Sequence, residues 1–152
     1  MRIALAVIHL LALGIGLGAI YARARNANRL RTSADSLRAT LAADNFWALA
    51  AGLWISTGLW RWLGSVEKSQ AYYNTNHIFF AKLGFLALVL ALEVWPMITL
   101  IGWRRRTVPG GNDPAEIGRK GRIIARISDA QMLLVVAMVV CAVLMARGYG
   151  AQ

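Results

Sequence analysis

Three ionisable side chains lie within apolar stretches of this 152-residue sequence. His9 follows the run IALAVI, whereas Lys82 and Glu93 stand eleven residues apart within FFAKLGFLALVLALEVWPM, residues 79–97. At about 100° per residue of α-helix, this spacing brings Lys82 and Glu93 to within about 20° of each other. A charge at mid-depth in lipid costs roughly 2.5–3.5 kcal/mol, and such groups mark ion paths, proton relays or binding sites. The sequence therefore predicts that one helix face carries both charges and turns toward the protein interior.

The elements that must position these residues are four apolar segments, at about residues 3–21, 46–63, 79–101 and 127–146. A helix that crosses a bilayer needs about 20 such residues, and lipid offers no hydrogen-bond partner to a non-helical backbone. The chain is 58% hydrophobic, with a mean hydropathy of +0.51. We predict an all-α fold, an integral membrane four-helix bundle that forms one domain over residues 1–152 and has the lipid bilayer as its partner.

The net charge of +10 is concentrated in the two predicted loops at residues 22–45 and 102–126. Twelve of the 17 basic residues lie there: Arg23, Arg25, Arg29, Arg31, Arg38, Arg104, Arg105, Arg106, Arg119, Lys120, Arg122 and Arg126. The positive-inside rule places both loops in the cytoplasm, so both termini face outward. Because this rule accounts for the charge, we do not predict nucleic-acid binding.

With this orientation, an outer polar layer is predicted from helix rise. His9 lies about 9 Å and Lys82 about 5–8 Å below the outer boundary, and Arg61 and His77 fall at the same end. Each has a second interpretation. Lys82 is shallow enough to snorkel to the interface, His9 fits a neutral imidazole bonded to a neighbouring helix, and Arg61 fits an interface anchor.

The predicted inner layer is acidic. Glu93 lies about 12 Å from the cytoplasmic end of its span, so its short side chain must be protonated, paired or in contact with water. Asp44 or Asn45 is predicted to cap the second span, with Asp44 at the cytoplasmic edge. Asp129 is expected to pair with Arg126, one turn away.

Gly14 and Gly18 in the first span form a small-xxx-small pair, which permits close approach of another helix. We interpret this pair as ordinary packing within the bundle.

The order of several motifs resembles a small bacterial membrane family classified only as a domain of unknown function. These motifs are His9 in a Gly-rich first span, DN at 44–45, TGLWR at 57–61, KSQAYYNTNHIFFAK at 68–82, PM at 96–97 and WRRR at 103–106. The resemblance covers most of the chain and implies a bacterial membrane protein. With the orientation given by the positive-inside rule, we predict a multi-pass protein of the inner membrane with periplasmic termini. It implies no activity.

The sequence is also distantly similar to the membrane-bound, haem-containing protoporphyrinogen oxidases, which have a His in the first span and a Lys at the start of a later one. This similarity implies a b-type haem with His9 as the axial metal ligand and Lys82 near porphyrin or substrate carboxylates. The sequence departs from that pattern because His77, at a span boundary, is its only other His. Met138 is at a suitable depth to serve as the second ligand instead.

Three functional hypotheses remain open from the sequence. The first is a haem-binding redox protein. The second is a small ion, proton or solute transport protein that uses the Lys82–Glu93 seam, and four spans would then require a homo-oligomer. The third is a structural or accessory membrane subunit whose polar residues hold the bundle together.

Overall fold

The computed structural model describes residues 2–30, 35–66, 68–105 and 114–150, which fold into five helices. The long helices are α1 (Arg2–Asn28), α2 (Asp35–Leu63), α4 (His77–Arg105) and α5 (Pro114–Ala146), and a six-residue helix, α3 (Gln70–Thr75), connects α2 to α4. The described residues contain no strand, which confirms the all-helical prediction. By length and hydropathy, α1, α4 and α5 are suited to cross a membrane. α2 equals α4 in length, but its Trp, Ser and Thr residues and Arg61 make it less apolar.

The helices extend well beyond the apolar segments. α1 continues to Asn28 and α2 already begins at Asp35, so most of the predicted loop 22–45 is helical. Asp44 lies inside α2, and its prediction as an N-cap is wrong. α5 begins at Pro114, a residue suited to the first helical position. Hydropathy detects where a helix would meet lipid, whereas charged and small residues continue the same helices past that point.

A stripe of small residues forms the buried face of α1. Its buried alanines and glycine are Ala12, Gly16, Ala19, Ala24 and Ala27. A Cβ on Gly16 would lie 3.2 Å from the Trp47 ring, so the missing side chain lets α2 pack closely. The prediction that Gly14 and Gly18 pack inside the bundle is wrong, because both are exposed and a Cβ on either would meet nothing within 4 Å. Each lies two residues from Gly16, which corresponds to a rotation of about 200° around the helix axis. Both glycines therefore lie on a different face of α1 from Gly16.

The four long helices pack side by side in the order α2, α1, α5, α4. The interior face of α4 includes Val89 and Leu100, which are 1% and 0% exposed. These residues share the stripe of Lys82 and Glu93, which confirms that this stripe turns inward. Leu88 and Ile98, on other faces of α4, are 51% and 62% exposed, as expected for side chains that meet lipid.

α1 and α5 approach most closely where α1 ends. A Cβ on Gly121 of α5 would overlap the Ala27 carbonyl oxygen and lie 2.8 Å from a methyl carbon of Leu30. The overlap with Ala27 involves backbone, which cannot move aside as a side chain can. Gly121 is therefore required by this helix crossing.

We expect Gly121→Ala to destabilise the protein by about 1–3 kcal/mol, the usual effect of overpacking. The control is Gly102→Ala in α4, where a Cβ would meet nothing within 4 Å and where Ala favours helix by about 0.5–1 kcal/mol. Unfolding by a denaturing detergent, followed by circular dichroism, measures both. Equal stability losses in the two variants would contradict the crossing.

Candidate functional site

Arg23 of α1 is 0% exposed and lies at the centre of a polar cluster built from all four long helices. Its Nη1 and Nη2 donate to Oε1 and Oε2 of Glu93 at 2.7 and 2.9 Å, a bidentate ion pair. Nη1 also donates to Asp44 at 2.9 Å, Nη2 to Gln131 at 2.7 Å and Nε to Ser128 at 3.0 Å. All five N–H donors of the guanidinium are thus used. The Arg23 cluster comprises Arg23, Asp44, Trp47, Glu93, Ser128 and Gln131.

The carboxylate of Glu93 is also fully engaged. Its Oε2 accepts a bond from Trp47 Nε1 at 3.0 Å and another from Gln131 Nε2 at 2.7 Å. Gln131 Nε2 donates as well to the Val89 carbonyl at 3.1 Å, so both of its N–H groups are satisfied. Of the three states predicted for Glu93, the structure therefore contains the paired one.

Asp44 extends the network toward the end of α4. Its Oδ1 accepts from Arg23, and its Oδ2 accepts from Arg104 at 2.9 Å. Arg104 is 37% exposed, whereas the Asp44 side chain is 13% exposed. The acidic side chain predicted as a helix cap instead links a buried cation to a more exposed one.

Asp129 lies outside the cluster, although it follows Ser128 directly. Its side chain is half-buried, and Arg126 is exposed. Neither residue forms an ion pair with the other, both being within the part of the chain that the structure describes. The predicted Asp129–Arg126 pair is therefore wrong.

Sequence reasoning missed Arg23 and Gln131 as partners of Glu93, and Ser128 as a partner of Arg23. Arg23 was assigned to a loop because it follows the apolar run, yet helix periodicity carried a usable signal. Arg23 is fourteen residues from His9, and this spacing places both within about 40° on one helix face. Ser128 and Gln131 are likewise three residues apart and share a face of α5.

The second polar region surrounds His9, at the opposite end of the packed helices. His9 is 8% exposed, and its Nδ1 lies 2.8 Å from Oγ1 of Thr57 in α2. The imidazole packs on Gly58, where a Cβ would lie 3.2 Å from its Cε1, and its ring centroid is 5.9 Å from that of Trp54. This confirms the interpretation in which His9 is hydrogen-bonded to a neighbouring helix.

A cavity of about 450 Å³ opens beside this imidazole. Its volume lies within the ordinary range of ligand pockets. The His9 cavity is lined by residues that include His9, Trp54, Arg61, Trp62, Lys68, Tyr73, Phe79, Lys82 and Met138. Three of its described lining residues are basic and none is acidic. The cavity therefore combines aromatic walls with positive charge at one end.

The predicted site residues separate into two groups. His9, Arg61, Lys82 and Met138 come together at the His9 cavity, which also contains Lys68, a residue the sequence reasoning had not selected. His77 is exposed at the start of α4 and is not part of the cavity lining. Within the described ranges, no group of three or more His, Cys, Asp or Glu side chains is arranged to hold a metal ion.

Long apolar helices around a buried ion pair are typical of a helical membrane protein, and this class fits the three helices that are suited to span lipid. The chain belongs to the family described as "Predicted membrane protein (DUF2214)", whose profile matches residues 1–150. A search of curated proteins and a search of solved structures each found no match.

We expect Arg23→Met to destabilise the protein by about 3–5 kcal/mol, because it leaves Asp44 and Glu93 without their shared buried cation. Arg126→Gln is the matched control, since this exposed arginine of α5 should change stability by no more than about 0.5 kcal/mol. Detergent-induced unfolding compares them. If Arg23→Met were as stable as Arg126→Gln, the cluster would not hold the helices together.

Proposed function

We propose that this protein binds a b-type haem in the His9 cavity, as a redox protein of the bacterial inner membrane. The observation that carries the proposal is that His9, Lys82 and Met138 line one cavity although they belong to three different helices. The resemblance to the haem-containing oxidases implies His9 as an iron ligand and Lys82 as a contact of porphyrin carboxylates, and Met138 lies at a depth suited to a second ligand.

The hydrogen bond to Thr57 suits His9 for iron ligation. The Thr57 hydroxyl donates to the Leu53 carbonyl at 2.6 Å, so its oxygen accepts the Nδ1–H of His9. The lone pair of the neutral imidazole then lies on Nε2. Histidines that ligate metals are usually oriented in this way by a partner on the other ring nitrogen.

The remainder of the cavity matches the amphipathic character of haem. Trp54, Trp62 and Phe79 supply aromatic surface for the macrocycle, while Lys82 and Arg61 supply positive charge for its two carboxylates. Met138 would supply the second iron ligand, since Met/His ligation occurs in haem proteins. When bound, the haem would supply one-electron transfer.

The transport hypothesis receives less support from the geometry. Lys82 lines the His9 cavity, but Glu93 is held by Arg23, Trp47 and Gln131 in the Arg23 cluster. Val89 lies between the two charges on α4 and is 1% exposed. A carboxylate with both oxygens occupied favours a structural role, which agrees with the third hypothesis and is compatible with a haem site elsewhere.

The proposal includes α2 as a fourth membrane span. α2 runs antiparallel to α1, bonded to it from Arg23–Asp44 at one end to His9–Thr57 at the other. The fourteen residues from His9 to Arg23 correspond to about 21 Å of helix, a large part of the hydrocarbon thickness. If α1 crosses the membrane, α2 accompanies it, and the end of α1 that carries Arg23 and Arg25 lies in the cytoplasm beside the start of α2.

Protein purified in detergent after expression with haem supplied should show a Soret band. We expect His9→Ala to lose this band, because the imidazole that would hold the iron is removed, whereas His77→Ala should retain it, since His77 is exposed and outside the cavity lining. Absorption spectra per mole of protein make the comparison. Wild-type protein without a Soret band, or equal loss in both variants, would exclude the proposal.

The orientation is tested separately by thiol labelling in a Cys141→Ala background. Ser69→Cys, between α2 and α4, should react with a membrane-impermeant maleimide added to intact cells, whereas Arg29→Cys at the end of α1 should react only after permeabilisation. The reverse pattern would contradict the topology. Labelling of both positions from the same side would contradict α2 as a span.

A further inference from the structure

We propose that the ligand of the His9 cavity enters from the lipid phase, through a window between α2 and α4. The identity of the ligand as haem rests on the proposed function; the window is inferred from the packing of the helices. Two features carry the inference. The helix pair α2–α4 is held together by side chains alone, and the outermost end of the cavity is covered by chain.

α2 and α4 are neighbouring long helices, but in the described chain their backbones do not approach each other closely over an extended length. Side-chain contacts bridge them instead, and at the end of α4 Arg104 donates to Asp44 of α2. Trp47 of α2 donates to Glu93 of α4 at 3.0 Å, and nearer the His9 end Trp62 and Phe79 pack edge to face with centroids 5.1 Å apart. Between the Trp47–Glu93 bond and the Trp62–Phe79 contact, the described residues show no extensive close backbone approach of α2 and α4.

An apolar cleft of about 110 Å³ occupies this stretch. Four residues form the outer walls of this cleft: Ile55 and Leu59 of α2, and Leu83 and Leu86 of α4. We call these four residues the window. Leu59 is 47% exposed, so the window opens on the lipid-facing surface.

The cleft adjoins the His9 cavity. His9, Lys82 and Met138 line both spaces, together with Trp54, Gly58, Trp62 and Phe79. A ligand that passes the window therefore reaches the imidazole without crossing another layer of side chains. Lys82 lies at this junction and is complementary in charge to the carboxylates of an entering amphipathic anion.

The end of the cavity beyond Lys82 is covered by the α3 connection and the C-terminal segment. Lys68 and Tyr72 both donate to the Met145 carbonyl, at 3.2 and 2.9 Å. Asn76, 0% exposed, donates to the Tyr149 carbonyl at 3.1 Å and accepts from the first amides of α4. These polar contacts fix the cover, whereas only apolar side chains close the window.

Two variants narrow the window and thereby test it. Leu83→Trp adds a larger side chain from α4, and Leu59→Trp adds one from α2, on the opposite wall. Leu88→Trp is the control, because Leu88 is an exposed residue of α4 outside the cleft lining. Apo protein in vesicles receives haem b dissolved in phosphatidylcholine vesicles. We expect the window variants to slow both loading and release about tenfold or more, with unchanged affinity, and the control to load at the wild-type rate.

A second arm does not depend on haem. Met138→Cys in the Cys141→Ala background places one thiol at the base of the cleft and the cavity. Its reaction with a lipid-dissolved N-alkyl maleimide should slow about tenfold when Leu83→Trp is added, but not when Leu88→Trp is added. Unchanged rates in both window variants, or a loss of affinity that comes from faster release with loading unchanged, would overturn the window. Wild-type protein that takes up no haem, with the thiol effect intact, would reject only the haem assignment.

Discussion

A buried guanidinium that cannot lose its proton is the constraint on which this structure depends. Arg23 is 0% exposed in a chain whose helices are suited to lipid, and an arginine in that setting is stable only when its charge and every N–H group are matched. Its five hydrogen bonds go to Asp44, Glu93, Ser128 and Gln131. Because these partners come from the three other long helices, the requirement of one side chain fixes the relative positions of all four. Throughout the described chain, no buried side-chain nitrogen or oxygen is left without a hydrogen-bond partner.

The two ends of the packed helices consequently have different properties. Around the Arg23 cluster the helices are close: α1 and α5 meet backbone to backbone at Gly121, and Gly16 brings α1 against Trp47. At the other end, the interior widens into the His9 cavity, and α2 and α4 meet through side chains. Because the hydrogen bonds of the Arg23 cluster fix the helix positions, those positions do not depend on filling the space at the other end, and the His9 cavity can remain open. The two residues of the predicted Lys82–Glu93 seam therefore lie in different environments. The Glu93 carboxylate is hydrogen-bonded within the Arg23 cluster, whereas Lys82 lines the His9 cavity.

Much of this arrangement could be predicted from the sequence, and the errors have physical causes. The apolar segments gave the helical class, and the eleven-residue spacing identified the inward face of α4. Depth along the helices also grouped His9 with Lys82, which line one cavity. Hydropathy failed for Arg23 and Asp44, because it treats a charge beyond an apolar run as a loop residue although the helix continues. It also could not find Gln131 or Ser128, since neutral polar residues are tolerated in spans and only three-dimensional packing reveals their partners. The predicted packing of Gly14 and Gly18 inside the bundle was wrong because the small-residue motif carries no information about which helix face is buried.

The most direct test of the account is a double-mutant cycle on the central ion pair, with Arg23→Met, Glu93→Gln and the double variant unfolded reversibly in detergent. Because the two side chains share a bidentate bond and the same neighbours, each single variant leaves a buried group unmatched. We predict a coupling energy of about 1.5–3 kcal/mol, at the upper end of the range for residues in one buried network. A coupling energy near zero, with the two single effects simply adding, would show that Arg23 and Glu93 do not depend on each other, and the bonded end described here would not exist.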